Sequence, residues 1–296
     1  MSQTQISFPL VEPFYDKDTG TFSYVVYDQT GGMAVIIDPV LDYEPAGART
    51  STASADALLA FVRSKLLTVA WILETHAHAD HLSAAGYLAD QLQAPVAIGR
   101  GIVQVQQHFK ALFGLGDEFI ADGHQFDRLF DDGDTFNVGA LNARVIATPG
   151  HTDDGLTYVI GDAAFVGDTV FAADTGTARC DFPGGDAQRL YASIQRILSL
   201  PGDTRIFLCH DYPGTRREAH ALTSIDEQKQ HNLHLKDGTD APTFVQMREQ
   251  RDATLPVPKL ILPALQVNIR GGRLPEPDAN GVRYLRLPLD QIGHTS

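Results

Sequence analysis

Between Leu73 and Leu88 the chain reads LETHAHADHLSAAGYL, which packs three histidines and an aspartate into six residues with apolar sequence on both sides. The placement of this cluster recurs downstream. His76 follows the run VAWILET, His151 follows ARVIAT and a Pro-Gly turn, Asp168 follows AAFVG, and His210 follows RIFLC. Each of these ligand-type side chains stands just past an apolar run of strand length. Strand ends on a rigid sheet are where an α/β protein gathers distant sequence into one point. Asp38 closes AVIID in the same way and belongs with them by position.

Within His76-Ala77-His78-Ala79-Asp80-His81, alternate residues of an extended segment point the same way, so His76 and His78 can face one point. Asp80 and His81 follow at the turn into a helix and can reach a second point beside it, while Ala77 and Ala79 fill the gaps. One histidine or aspartate at a strand end is most often solvated or hydrogen-bonded. The coincidence of the cluster with His151, Asp168 and His210 outweighs that reading. Imidazole and carboxylate without thiolate suit zinc, iron or manganese, and ligand type alone does not choose among them.

The rest of the pattern places these motifs in an α/β architecture. SYVVYD and MAVIID read as a hairpin about QTGG, and TVAWILETH, APVAIG, NARVIATPGH and TRIFLCHDY as strands. ASADALLAFVRSKL, GIVQVQQHFKALF and DAQRLYASIQRILSL carry helical periodicity. Asp80 is placed to cap a helix whose apolar face holds Leu82, Ala85, Leu88, Ala89 and Leu92. LILPALQVNIRGG and GVRYLRLPL suggest extended structure, and TSIDEQKQHNLHL and PTFVQMREQRDATL suggest helices. The weakest seam lies around Pro213 to Arg217, so the expected division is a catalytic domain over 1–215 and a C-terminal extension over 216–296, packed on the same domain at the substrate side.

With 296 residues and 43% hydrophobic content the chain can bury one large core. A net charge of −14 argues against nucleic acid or an acidic membrane as partner. That charge lies in the first 199 residues; from Leu200 onward 12 acidic side chains meet 12 basic ones. Cys180 and Cys209 form no disulfide framework and read as small buried residues, each beside a chemical motif. No leader-like segment and no membrane-spanning run is visible, so the expectation is a soluble, cytoplasmic protein.

The motifs HAHADH, TPGHT, GDT and CHDY together resemble those of the metallo-β-lactamase superfamily. The resemblance implies an α/β fold, a four-layer αββα sandwich of two mixed sheets with metal at the strand-loop edge. A finer match runs through nearly the whole chain. ETHAHADHLSAAGYL, TPGHTDDGLTYV, FVGDTVFAADTGTARCDFPGGDA and VNIRGGRLPEPDANGVRYL are similar to the persulfide dioxygenase branch, in its bacterial form with a longer C-terminal tail. That branch implies one Fe(II) per chain, no organic cofactor, and His76, His151 and Asp168 as catalytic metal ligands. His78, Asp80, His81 and His210 become outer residues that orient ligands and water, although they offer enough donors for a second ion.

Two histidines and one carboxylate on one face of an octahedral ion leave up to three positions, room for a persulfide sulfur and O2 together. The implied reaction oxidises glutathione persulfide with O2 and water to sulfite and glutathione. The alternative is a thioesterase of the hydroxyacylglutathione hydrolase type with two metals; that branch usually carries His at the position of Ala77. An acidic substrate on an acidic protein needs local cations. The tail offers Arg216, Arg217, Lys229, Arg248, Arg251, Arg270 and Arg273, of which Arg217 and Arg270 are favoured by position. Arg179 either binds substrate or pairs with Asp181, and Tyr212 either points its hydroxyl into the pocket or packs in the core. The expected partners are glutathione persulfide and O2, with no nucleic acid and no membrane; a homodimer is compatible with the sequence, which does not fix the assembly.

Overall fold

The computed structural model describes residues 8–292 except 216 and 237, so Arg216 lies outside the described residues. Two six-stranded sheets dominate. The first runs in the order β1 (Leu10–Asp16), β2 (Thr21–Tyr27), β3 (Met33–Ile37), β6 (Thr68–Leu73), β8 (Val96–Gly99) and β9 (Arg128–Phe130). Its first three strands pair antiparallel, and the steps from β3 to β6, β8 and β9 are parallel. β4 (Val40–Glu44) forms a small separate sheet with β5 (Arg49–Ser51) and β7 (Leu82–Ser83). The second large sheet runs β10 (Thr135–Val138), β11 (Leu141–Ala147), β12 (Leu156–Ile160), β13 (Ala163–Phe165), β14 (Arg205–Phe207), β15 (Leu222–Ser224). Only β13 and β14 pair parallel in it.

The alternation of side chains along each strand sorts these sheets into four layers. Val25, Ile36 and Ile72 face outward to Leu58 of α1 (Ala53–Ser64), Leu88 of α2 (Ala85–Leu92) and Ile102 of α3 (Ile102–Leu112). Tyr24, Val26, Val35, Ile37 and Leu73 point the other way and meet Val145, Tyr158, Phe165 and Phe207 of the second sheet. Beyond that sheet, Ala164, Val166 and Ile206 pack under Leu190, Ile194 and Ile197 of α4 (Ala187–Leu198). Phe244 of α6 (Ala241–Asp252) closes that layer, next to the short α5 (Ile225–His231). The architecture is thus the αββα sandwich expected. No helix among the described residues is long and apolar enough to cross a membrane.

Three local expectations change. LILPALQVN is a helix, α7 (Ile261–Asn268), not a strand. Ile261, Ala264, Leu265 and Asn268 fall at i, i+3, i+4 and i+7 and are all buried, a helical stripe that the neighbouring apolar residues hide. Pro263 sits in its first turn, where the backbone N–H it lacks would have no helical partner. Residues 282–290 form no strand. Finally, Asp80 caps nothing: Leu82 and Ser83 pair with β4, and α2 starts only at Ala85 behind Ala84.

The residues beyond 215 are distributed over the fold. β15 completes the edge of the second sheet, α5 and α6 lie against its outer face, and α7 enters the core beneath the first sheet.

Candidate metal centre

Three of the ligand-type residues come together beyond the ends of β6, β11 and β13. One nitrogen each of His76 and His151 and one oxygen of Asp168 lie within 4.8 Å of one another. Asp168 Oδ2 is 3.6 Å from His151 Nε2 and 4.0 Å from His76 Nε2. A second group, His78, Asp80, His81 and His210, converges equally closely beside it. Asp168 stands between the two, because its other oxygen is 3.3 Å from His210 Nε2.

The hydrogen bonds behind the rings fix which nitrogen carries the lone pair. His151 Nδ1 donates to the carbonyl oxygen of Arg179 at 2.7 Å, so Nε2 is free to act as a ligand. Thr75 Oγ1 donates to Asp38 Oδ2 at 2.9 Å and therefore accepts from His76 Nδ1 at 3.1 Å, which again frees Nε2. His210 Nδ1 meets Thr21 Oγ1 at 3.2 Å. Burial, with His78 and His151 nearby, holds His76 well below the ordinary imidazole range, and burial with His81 does the same for His78. Both rings are therefore neutral at physiological pH, the form that binds metal.

His78 departs from the simple alternation argument. Its ring lies 4.0 Å from that of His76, but it is not part of the donor group of His76, His151 and Asp168. Its Nε2 lies 3.1 Å from Asp38 Oδ1 and 3.7 Å from Glu74 Oε2, and its ring belongs with the second group. Asp38 can lie beneath it because the chain leaves β3 in the left-handed region at Asp38, with φ 49°. Aspartate tolerates that conformation better than most residues with a Cβ.

A direct test of fit to a metal is the fate of the polar atoms. His76 Nε2, both nitrogens of His78, His81 Nε2, His210 Nε2 and Asp168 Oδ1 are buried and have no hydrogen-bond partner. Several lie within ion-pair distance of a carboxylate but are not aligned for a hydrogen bond. Each such atom left bare costs on the order of 1–3 kcal/mol. Their lone pairs converge on two points, an arrangement that a cation satisfies, and the donors present suit zinc, iron or manganese.

Asp80, His151 and Asp168 of these groups lie in the floor of a cavity of about 910 Å³. Its walls include Tyr43 and Arg49 of the β4–β5 hairpin, Phe171, Phe182 and Tyr212, and the segment from Arg251 to Leu260. Tyr212 lines it as one of the two readings had it, stacked on His210 at 5.7 Å, with its hydroxyl 3.5 Å from Asp80 Oδ2. Arg179 also lines it, but its guanidinium is held by Asp181 at 2.6 and 2.7 Å and by the carbonyl of Pro256. Two expected substrate residues lie elsewhere. Arg217 opens on another cleft and is clamped between Asp211 and Asp174. Arg270 lies over the Phe119 ring, hydrogen-bonded to the Gln266 carbonyl, away from the cavity. Of the cavity's cations, Arg49 faces Glu44 and Arg248 is buried against Asp252, whereas Arg251 and Lys259 have no ion-pair partner among the described residues.

Sequence reasoning missed an outer ring of polar residues. Asp154 accepts from the backbone N–H of Ala77 at 2.8 Å, and burial pushes its carboxyl up to about 6. Glu74, pushed well above the usual range by burial and by Asp38, accepts from the Ser83 hydroxyl. Asn268 reaches the same loop from α7. Both cysteines are buried, and burial pushes both thiols up; Cys209 lies 3.7 Å from Asp38 Oδ2.

His234 supports the cavity wall and gives a pH prediction. Its Nδ1 accepts from the Thr177 N–H at 3.0 Å, so the ring must stay neutral. Burial, with Arg248 and Arg251 close by, lowers its pKa to about 4. As pH falls from about 6.5 the unfolded chain takes up this proton and the folded one does not, so stability present above 6.5 drains away down to about pH 4. Urea midpoints compared at pH 7 and 4.5 should therefore fall less in His234→Gln than in wild type.

The class these features define is also the one the sequence matches: the chain belongs to the metallo-beta-lactamase superfamily, whose family pattern covers residues 16–210. Among particular relatives, it is 53% identical over 293 residues to a probable metallo-hydrolase of Burkholderia pseudomallei, across 95% of this chain and 99% of that one. It is 45% identical to glyoxylase B2 of Dictyostelium discoideum, across 95% and 97%. It is 29% identical to the human mitochondrial persulfide dioxygenase ETHE1, across 89% of each chain. The crystal structure of ETHE1 from Myxococcus xanthus superposes with a TM-score of 0.71 at 32% identity, covering 89% of this chain and all of that one.

Proposed function

We propose that this protein is a persulfide dioxygenase that oxidises glutathione persulfide with O2 and water to sulfite and glutathione, using one Fe(II) held by His76, His151 and Asp168. The observation that carries this reading is the make-up of that group. Two nitrogens with freed lone pairs and one carboxylate oxygen converge, while the adjacent His78 is drawn off towards Asp38. A set of two histidines and one carboxylate fits an iron with open positions. Bound there, ferrous iron would supply the redox chemistry with O2 that side chains lack. The likeness to the two ETHE1 proteins supports the same reading.

The chain's own residues do the binding and orienting. Asp168 offsets positive charge at the floor. The Arg179 carbonyl and Thr75 hold the two imidazoles in the ligand tautomer. Phe171, Phe182 and Leu260 line the cavity and reduce the water near the reacting sulfur. The C-terminal extension supplies the substrate side, with Arg251 and Lys259 as clamps for the glutathione carboxylates. Per reaction, one persulfide, one O2 and one water give glutathione, sulfite and two protons.

A second reading has a specific observation behind it. His78, Asp80, His81 and His210 form a complete second group, and glyoxylase B2 is among the relatives. Two metals would suit a thioesterase. Metal analysis of protein purified without added metal, with O2 uptake on glutathione persulfide, separates the two. About one iron per chain with rapid uptake is expected. Two metals, cleavage of S-lactoylglutathione and no uptake would replace the dioxygenase by the hydrolase.

The clamp makes its own prediction. A charged hydrogen bond contributes about 1.5–3 kcal/mol, and at these exposed positions the low end applies. The double variant Arg251→Ser, Lys259→Ser should raise KM for glutathione persulfide at least about tenfold and leave kcat within about threefold, by steady-state kinetics.

A further inference from the structure

The loop that carries three of the histidines is held from below by one residue of the C-terminal helix. Asn268, buried at the end of α7, spends its whole side chain on that loop. Its Nδ2 donates to the carbonyl oxygens of His78 and His81, both at 2.8 Å. Its Oδ1 accepts from the backbone N–H of Ser83 at 2.8 Å. Ser83 continues the chain of contacts, donating its hydroxyl to Glu74 and accepting from the Ala85 N–H at 3.0 Å.

The backbone around this contact is pressed together. After α7 the chain turns through Gly271 and Gly272, both at positive φ. A Cβ on Gly272 would lie 2.9 Å from Ser83 O, Ala85 N and Gly86 N, and one on Gly86 would lie 3.0 Å from Gly272 O. Two main chains far apart in sequence thus lie on each other with no room for a side chain between them.

We infer that Asn268 is a positioning residue for metal binding: its three hydrogen bonds set the backbone of His78 to Ser83 before any ion arrives, so that His78, Asp80 and His81, which stand beside the proposed ligands, need no further ordering when it binds. The inference rests on the reading of the His/Asp groups as a metal centre. The hydrogen bonds fix the loop at both ends, at His78 and at His81–Ser83, and the segment between them carries Asp80. Without Asn268, two carbonyls and one N–H lose their partners in a dry site, and the loop must be ordered at the expense of metal affinity. Residues that orient metal ligands at one remove typically contribute 10–100-fold to affinity.

The test titrates Zn²⁺ alone into metal-free full-length protein against a chromophoric chelator. Asn268→Ala should bind zinc at least about tenfold more weakly than wild type. Val267→Ala removes an equally buried neighbour in α7 that has no bond to the loop; it should lower the melting temperature while keeping wild-type affinity. Asn268→Asp keeps the acceptor for Ser83 but cannot donate to both carbonyls, and should follow Asn268→Ala. A melting temperature lowered alike in all three with unchanged zinc affinity would reduce Asn268 to ordinary packing and overturn the inference. Should the Asn268 variants not fold, hydrogen exchange of the Ser83 amide in metal-free wild type decides: protection is expected, and exchange at the rate of an open loop amide overturns it. Failure of wild type itself to bind zinc would instead remove the metal-centre reading.

Discussion

Asp168→Ala is expected to strip metal from the protein and leave the scaffold standing. Among the described residues no other carboxylate has an ion-pair contact with both donor groups: one oxygen faces His76 and His151, the other faces His210. Removing it therefore takes a charge-neutralising ligand from either site at once. A metal contributes several kcal/mol to the transition state it serves, so turnover should fall by at least about 10³-fold. The fold should tolerate the change, because Asp168 lies on a loop beyond β13 and burial already pushes its carboxyl above the usual range. Metal-free Asp168→Ala should unfold within about 1 kcal/mol of metal-free wild type. His151→Ala, which spares the contact between Asp168 and His210, should likewise remove the metal and leave the fold standing. Elemental analysis, steady-state turnover and thermal unfolding of the metal-free forms check these statements. A variant of Asp168 that retains its metal, or one that fails to fold, would contradict the geometry.

Arg248→Met should be the most damaging single change to stability outside the sheets. Arg248 and Asp252 are both buried, one turn apart on α6, with Nη2 2.7 Å from the carboxylate. Each also holds the loop over the cavity: Arg248 donates to the Thr177 carbonyl at 2.9 Å, and Asp252 accepts from the Cys180 N–H at 2.8 Å. Methionine fills similar volume but leaves the buried Asp252 carboxylate without its cation, with the Cys180 N–H still donating to it. Breaking a buried pair in this way costs about 3–5 kcal/mol. Urea unfolding should show that loss, and Arg248→Met, Asp252→Asn should recover most of it. Equal losses in the single and double variants would mean that packing, not the ion pair, sets the cost.

The convergence of the ligand-type residues was legible in the sequence for a physical reason. Each follows a strand whose apolar run is conspicuous, and sheets with two buried faces leave little else for such runs to be. The double group was half legible: alternation put His76 and His78 on one side, but nothing local announced that Asp38 would sit under His78. The substrate side was largely hidden. Arg217 and Arg270 were favoured by position over Arg251, and nothing local announced that Asp211, Asp174 and Phe119 would engage them. Arg248, counted among the surface cations, proved to be a structural ion. Asn268 left no mark at all, because its partners are backbone carbonyls and one backbone N–H, and these carry no sequence signature. The stretch around it misled for a related reason: a helix buried on nearly every side loses the polar face that would give its period away.

Asn268 stands 187 residues after His81, whose carbonyl it holds. A ribosome releases the histidine-rich loop long before it releases the residue that settles it, and at about 5–20 residues per second the interval is roughly ten to forty seconds. Throughout that time the loop lacks the three hydrogen bonds that Asn268 gives it. The settled form of the loop is thus a property of the finished polypeptide.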